Sequence, residues 1–146
     1  MSGNAQAVAQ KLYDALNGHD PRGILEVLHP DFVGFVSPGM PCGVGGGHDG
    51  AEAMLRDCWG VVFAAFDVAL EVEERLDAGS GRVVFRGRYV GTQRETRRPV
   101  DAAFAHIIRI DGGRIVELRQ ITDTARWGFD VDPTEADRQR VGRTAI

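Results

Sequence analysis

The chain has 146 residues, enough to bury one core and too few for two domains. A hydrophobic content of 43% with 26% charged residues is that of an ordinary soluble globular protein, a net charge of −4 gives no reason to expect a polyanionic partner, and the basic residues are scattered among acids without forming a stripe. No nucleic-acid partner is therefore expected. No apolar run approaches the length of a bilayer span and no charged-then-apolar leader follows Met1, so no membrane association is expected either. Cys42 and Cys58 have neither paired nor metal-like spacing, which points to reduced thiols in the cytoplasm.

In chain order, residues 4–17 place Ala5, Val8, Ala9, Leu12, Ala15 and Leu16 at helical spacing, and Gly18 ends that helix. Asp20-Pro21 supplies an N-cap and a first-turn proline for a short second helix carrying Ile24, Leu25, Val27 and Leu28, which stops near His29-Pro30. Asp31–Ser37 has strand composition. Residues 38–50 hold six glycines and two prolines and predict a mobile loop; they lack the spacing of a phosphate cradle. Asp49 is the expected N-cap of a third helix over 50–66, with a stripe of Met54, Leu55, Cys58, Trp59, Val62, Phe63 and Phe66.

The second half is strand after strand. Val68, Leu70 and Val72 alternate with charged residues, and Val83, Phe85, Gly87 and Tyr89 alternate with Arg82, Arg86 and Arg88. Residues 100–110 and 114–124 form two further strands joined by the turn Asp111-Gly112-Gly113. Three helices followed by four antiparallel strands, with the first short strand added at an edge, predict an α+β domain over 1–127. The tail, 128–146, has two readings: a short helix around Thr134–Arg140, or a frayed end.

The run YDALNGHDPRGILEVLHPDF, the strand pair AHIIRIDGGRIVELRQITDTA and the element order between them give the chain a family likeness. Over residues 5–127 it resembles the SnoaL-like branch of the nuclear-transport-factor-2 superfamily, which includes polyketide cyclases and is related to ketosteroid isomerases and limonene-epoxide hydrolases. The resemblance implies a cone-shaped, cystatin-like fold with a deep apolar pocket, a homodimer formed through the outer sheet face, and no cofactor. It does not fix a reaction, because the scaffold hosts many chemistries.

Ketosteroid isomerases use a tyrosine in the first helix, an aspartate base ending the first strand and a protonated aspartate in the penultimate strand. Those positions fall here on Leu12, Ser37 and His106, with Tyr13 one residue on and about 100° around the helix. Isomerase chemistry is thus not expected. SnoaL-type aldol cyclases use a histidine in the penultimate strand, which His106 matches, and an aspartate in the last strand, where Gln120 stands. Glutamine does not shuttle protons at neutral pH. Asp123 is near, but strand alternation turns it away unless a bulge intervenes.

His106 and Gln120 are accordingly the candidate catalytic residues, weighed against a buried core histidine and a structural amide. Ser37, Trp59, Tyr89, Leu118, Phe35 and Tyr13 are the candidate substrate-binding residues. Ser37 is equally a turn-capping hydroxyl, and the aromatics are equally core. His, Cys and acidic residues show no metal-ligand spacing. The resemblance, with these neutral polar candidates in an apolar setting, implies a ring-forming cyclase for a largely apolar polyketide-type intermediate, similar in type to indane-forming polyketide cyclases, acting mainly by folding its substrate. Two alternatives stay open: an aldol cyclase or epoxide-opening enzyme using a carboxylate such as Asp123, and a non-catalytic binding protein. The loop at 38–50 and the arginine turn at 93–98 are the expected gates.

Overall fold

A computed structural model describes residues 2–127 of the chain; the expected tail, 128–146, lies outside the described residues. Helix α1 (Ser2–Asn17) buries Leu12, Tyr13 and Leu16 together. Its last residue fastens it to the sheet, since Asn17 Nδ2 donates to the Leu70 carbonyl at 3.0 Å and Asn17 Oδ1 accepts from the Leu70 amide at 2.8 Å. His19, at φ 50°, turns the chain into α2 (Pro21–Val27), whose first turn is capped by Asp20 accepting from the Gly23 amide at 3.0 Å.

Strand β1 (Leu28–Val36) starts earlier than its composition suggests, directly after α2. His29-Pro30 therefore does not mark a helix end. Pro30 is tolerated because the ladder between β1 and the last strand is irregular between Leu28 and Val33, so no amide is needed there. The glycine-rich segment is also more ordered than expected. It forms a 3₁₀ turn (Pro41–Gly43) and then β2 (Gly46–Asp49), antiparallel to β1 with Val33 opposite Asp49 and Val36 opposite Gly46. Asp49 is consequently a strand residue and caps no helix. Gly50, at φ 99°, makes the entry turn, and its amide donates to the Phe32 carbonyl at 2.6 Å.

The third expected helix is one rod in three parts: α3 (Ala51–Met54), a π-helical stretch (Leu55–Trp59) and α4 (Gly60–Ala65). The wide turn is visible in the Gly60 amide, which donates to the Leu55 carbonyl five residues back. A β-carbon on residue 60 would lie 2.8 Å from that oxygen, so glycine is what lets the turn widen. Phe66 leaves the rod and opens β3 (Phe66–Gly79), which pairs with β4 (Arg82–Gln93), β5 (Pro99–Asp111) and β6 (Arg114–Thr122) in an antiparallel meander. The complete sheet is mixed, in the order β2-β1-β6-β5-β4-β3, because β1 runs parallel to β6.

The sheet curls around the helices. In its interior β3 comes so close to β4 that a β-carbon on Gly87 or Gly91 would overlap the Glu71 or Asp67 carbonyl. The concave face carries Phe32, Val83, Phe85, Ala102, Phe104, Ile108, Ile115 and Leu118. The convex face carries ion pairs, among them Arg86 with Glu74 at 2.9 Å and Arg88 with Asp101 at 2.8 Å. A final 3₁₀ turn (Thr124–Trp127) folds Trp127 onto the end of the cone, edge-on to Phe66 with 5.2 Å between centroids and 4.7 Å from the Tyr89 ring. Among the described residues, no helix is long and apolar enough to cross a membrane.

Candidate functional site

Strand alternation places His106 of β5 and Gln120 of β6 on the concave face, directly opposite each other in register. Tyr89 of β4 and Tyr13 of α1 complete a connected string. Tyr13 Oη lies 2.6 Å from His106 Nδ1, Tyr89 Oη lies 2.8 Å from His106 Nε2, and Gln120 Nε2 donates to Tyr89 Oη at 2.8 Å. Gln120 Oε1 in turn accepts from the Ser37 amide at 3.2 Å. Four elements thus deliver one row of polar atoms into an interior otherwise made of rings. Phe104 stacks on His106 at 4.3 Å between centroids, and Phe85 stacks on Tyr13 at 4.9 Å.

Burial sets the electrostatics. His106 is 3% exposed and has no charged partner, so desolvation lowers its pKa to about 3 and the ring is neutral at physiological pH. Desolvation raises both tyrosines, Tyr13 well above its ordinary value; Tyr89 is raised against the opposing effect of the Gln120 hydrogen bond. Neither phenol ionises at neutral pH. The string therefore holds and donates hydrogen bonds but cannot shuttle protons through charged forms. Burial also pushes the Cys58 thiol up to about 12, which makes it inert packing on the helical rod.

The other candidates divide. Tyr13, one residue beyond the position matched to the isomerase tyrosine, lies squarely in the cluster, against His106 Nδ1. Ser37 is a strand tie: its hydroxyl donates to the Gln120 carbonyl at 3.0 Å and accepts from the Thr122 amide at 3.1 Å. Leu118 is core, paired in register with Ile108. Phe35 is on the wrong face: Phe32, Gly34 and Val36 point inward, and the Phe35 ring lies outside under the Arg119 guanidinium, 4.0 Å from its centroid. Trp59 lies apart from the string, in an apolar groove of about 170 Å³ between the α1–α2 corner and the rod, with Leu16, His19, Ile24, Leu55 and Phe63. Asp123 is exposed beyond β6, as alternation requires, and offers no carboxylate to His106. His48 Nε2 lies 2.7 Å from the Val44 carbonyl and braces the glycine-rich segment. The arginine turn is a bonded hairpin end, with Arg94 Nε donating to the Phe63 carbonyl at 2.9 Å and Thr96 Oγ1 bonded to Gln93.

The expected roomy pocket is not what surrounds His106. Both ring nitrogens face phenols, Tyr13 is 1% exposed and Tyr89 6%, and Trp127 packs against Tyr89. The surface clefts of about 560, 670 and 410 Å³ are lined by residues outside this string. Among the described residues no group of three or more His, Cys, Asp and Glu side chains could hold a metal ion.

Helices packed against a curled, six-stranded mixed sheet are the fold of the nuclear-transport-factor-2-like class. The SnoaL-like domain model matches residues 9–118, and the chain belongs to that family. A crystal structure of an NTF2-like protein from Burkholderia thailandensis is 28% identical, with a TM-score of 0.75 over 84% of this chain and 92% of that one. A loop-truncation variant of IdmH is 25% identical, with a TM-score of 0.71 over 84% and 95% of the two chains. A putative SnoaL-like polyketide cyclase from Jannaschia sp. shares the fold at 18% identity, with a TM-score of 0.74 over 85% and 88%. Among curated proteins none matches the chain.

Proposed function

We propose that the chain is a cofactor-independent, ring-forming cyclase for a largely apolar polyketide-type intermediate, working mainly by substrate folding with hydrogen-bond assistance. One observation carries this reading: the interior polar row is neutral throughout, from Tyr13 through His106 and Tyr89 to Gln120, and the candidate carboxylate Asp123 is outside it. A neutral row suits a reaction whose barrier is mainly the entropy of bringing two carbons together, as in an intramolecular cycloaddition. It also suits a carbonyl whose oxygen gains charge in the transition state, which a fixed donor stabilises. Membership of a family that includes polyketide cyclases supports the same reading.

The test is to incubate the protein with a linear, unsaturated polyketide-type precursor and follow ring closure. The expected rate enhancement is flat from about pH 5 to 8, because the histidine titrates at about 3 and the phenols only at high pH. Asp123→Asn leaves the rate unchanged, while His106→Asn lowers it. An acid limb in the profile, lost in Asp123→Asn, would instead establish the aldol or epoxide-opening chemistry. Saturable binding without turnover would instead establish a binding protein of the same fold.

A further inference from the structure

Trp127 fills a slot whose walls have a definite chemistry. Its ring is 1% exposed and lies between Tyr89, 4.7 Å away and inclined at 52°, and Phe66, 5.2 Å away and edge-on at 89°. The indole N–H donates to Thr122 Oγ1 at 3.2 Å. That hydroxyl has already committed its own hydrogen, which it donates to the Ala103 carbonyl at 2.7 Å. What Thr122 offers the slot is therefore a lone pair in a fixed direction. The seat thus consists of two ring surfaces and one edge acceptor, and Tyr89 is the wall through which it touches the polar row.

The walls belong to the sheet, whereas the occupant does not. Phe66, Tyr89 and Thr122 are strand residues, paired in register with Gln93, Ala102 and Phe104. Trp127 stands instead on the four-residue 3₁₀ turn Thr124–Trp127. Among the described residues, the Asp123 amide, which donates to the Ala103 carbonyl at 3.1 Å, is the last backbone group bonded to the sheet before that turn. Beyond it the ties to the sheet are two side-chain bonds of 3.2 Å, from Trp127 Nε1 to Thr122 Oγ1 and from Arg126 Nε to the Asp101 carbonyl. The second is exposed, where water takes its place at little cost. Burial of the indole rings is then the main force that keeps the turn closed. A molecule that buries equal ring area in the same seat restores what the indole gives up, and no strand has to move.

We propose that this seat is a binding site for a neutral, planar bicyclic aromatic molecule with one hydrogen-bond donor at its edge, and that the Trp127 indole is a resident stand-in which such a ligand displaces. Two fused rings match the footprint of the indole. An O–H or N–H at the edge takes over the indole hydrogen's place on Thr122 Oγ1. Neutrality follows from the lining, because Tyr89, Phe66 and Thr122 offer no counter-charge and an ion there would lose its hydration uncompensated. Identifying the ligand with a closed-ring product rests on the cyclase reading; the seat and its exchange do not.

The exchange is read on the full chain from the indole ¹H–¹⁵N signals of its two tryptophans, assigned by the loss of one in Trp59→Phe. The probe is 2-naphthol, and 2-methoxynaphthalene supplies the same ring pair without the donor. Saturating 2-naphthol is expected to move the Trp127 signal to the position of a free indole in water and to leave the Trp59 signal in place. The methyl ether is expected to bind about fivefold more weakly, the worth of one neutral hydrogen bond. Thr122→Val is expected to erase that difference. A Trp127 signal that stays in place up to the solubility limit of 2-naphthol overturns the proposal, as does a shift of the Trp59 signal alone. Equal binding of the two naphthalenes by the wild type overturns the role of Thr122 as acceptor. If the exchange holds while no precursor cyclises, the seat stands and the cyclase reading falls; if precursors cyclise while the indole never leaves, the reverse is true.

Discussion

His106 makes an acid-sensitive element of the core. An unfolded histidine takes a proton near pH 6.5, whereas the folded ring resists until about 3. Between those values the unfolded chain binds more protons at this residue, so stability falls as pH drops, by up to about 1.4 kcal/mol per pH unit, and is insensitive to this group above about pH 7. Denaturant midpoints taken between about pH 7 and 4 should therefore fall less steeply in His106→Asn than in the wild type. The same residue was legible in the sequence, because period-two alternation with Phe104 and Ile108 turns it inward. Gln120 was legible for the same reason. Tyr13 was harder to place: matching to the isomerases selects Leu12, but α1 is wrapped on two sides and buries both, so a 100° step does not leave the cluster. Phe35 carried its own warning, since Phe32, Gly34 and Val36 claim the inner face.

At the level of elements, the meander and the capped helices were visible because each is a local signal. The parallel pairing of β1 with β6 was not, since nothing within either strand names a partner some eighty residues away. The stretch Gly46–Asp49 was also hidden: glycine has no side chain with which to show alternation, and the strand exists only because β1 offers an edge. Glycine does mark the sheet's closest approach. Gly87→Ala would drive a methyl group into the Glu71 carbonyl of the neighbouring strand, and backbone has nowhere to yield without parting β3 from β4. A loss of about 1–3 kcal/mol or more in chemical denaturation is expected, against little change for Gly47→Ala, where nothing lies within 4 Å of the added carbon and φ is not positive.

On the scale of the whole molecule, the convex face is the surface left over once the cone is filled. Rows of opposite charge on β3, β4 and β5 frame Ala103, Ala105 and Ile121, the last 58% exposed. A face with interleaved charges and an apolar centre is suited to a second copy of itself. The dimer expected from the family resemblance is proposed here on that face; light scattering should give the mass of two chains for the wild type and of one for Ile121→Arg.

Trp127 ends the described chain against Tyr89, and Trp59 stands in the groove on the helical side. The protein therefore carries a built-in optical gauge at the polar row. With Trp59→Phe silencing the second indole, emission from Trp127 alone should change when an occupant displaces the Tyr89 ring, and should stay constant when a molecule settles only in the groove. Occupancy of the interior then becomes readable in a cuvette, with no label and no knowledge of the product formed.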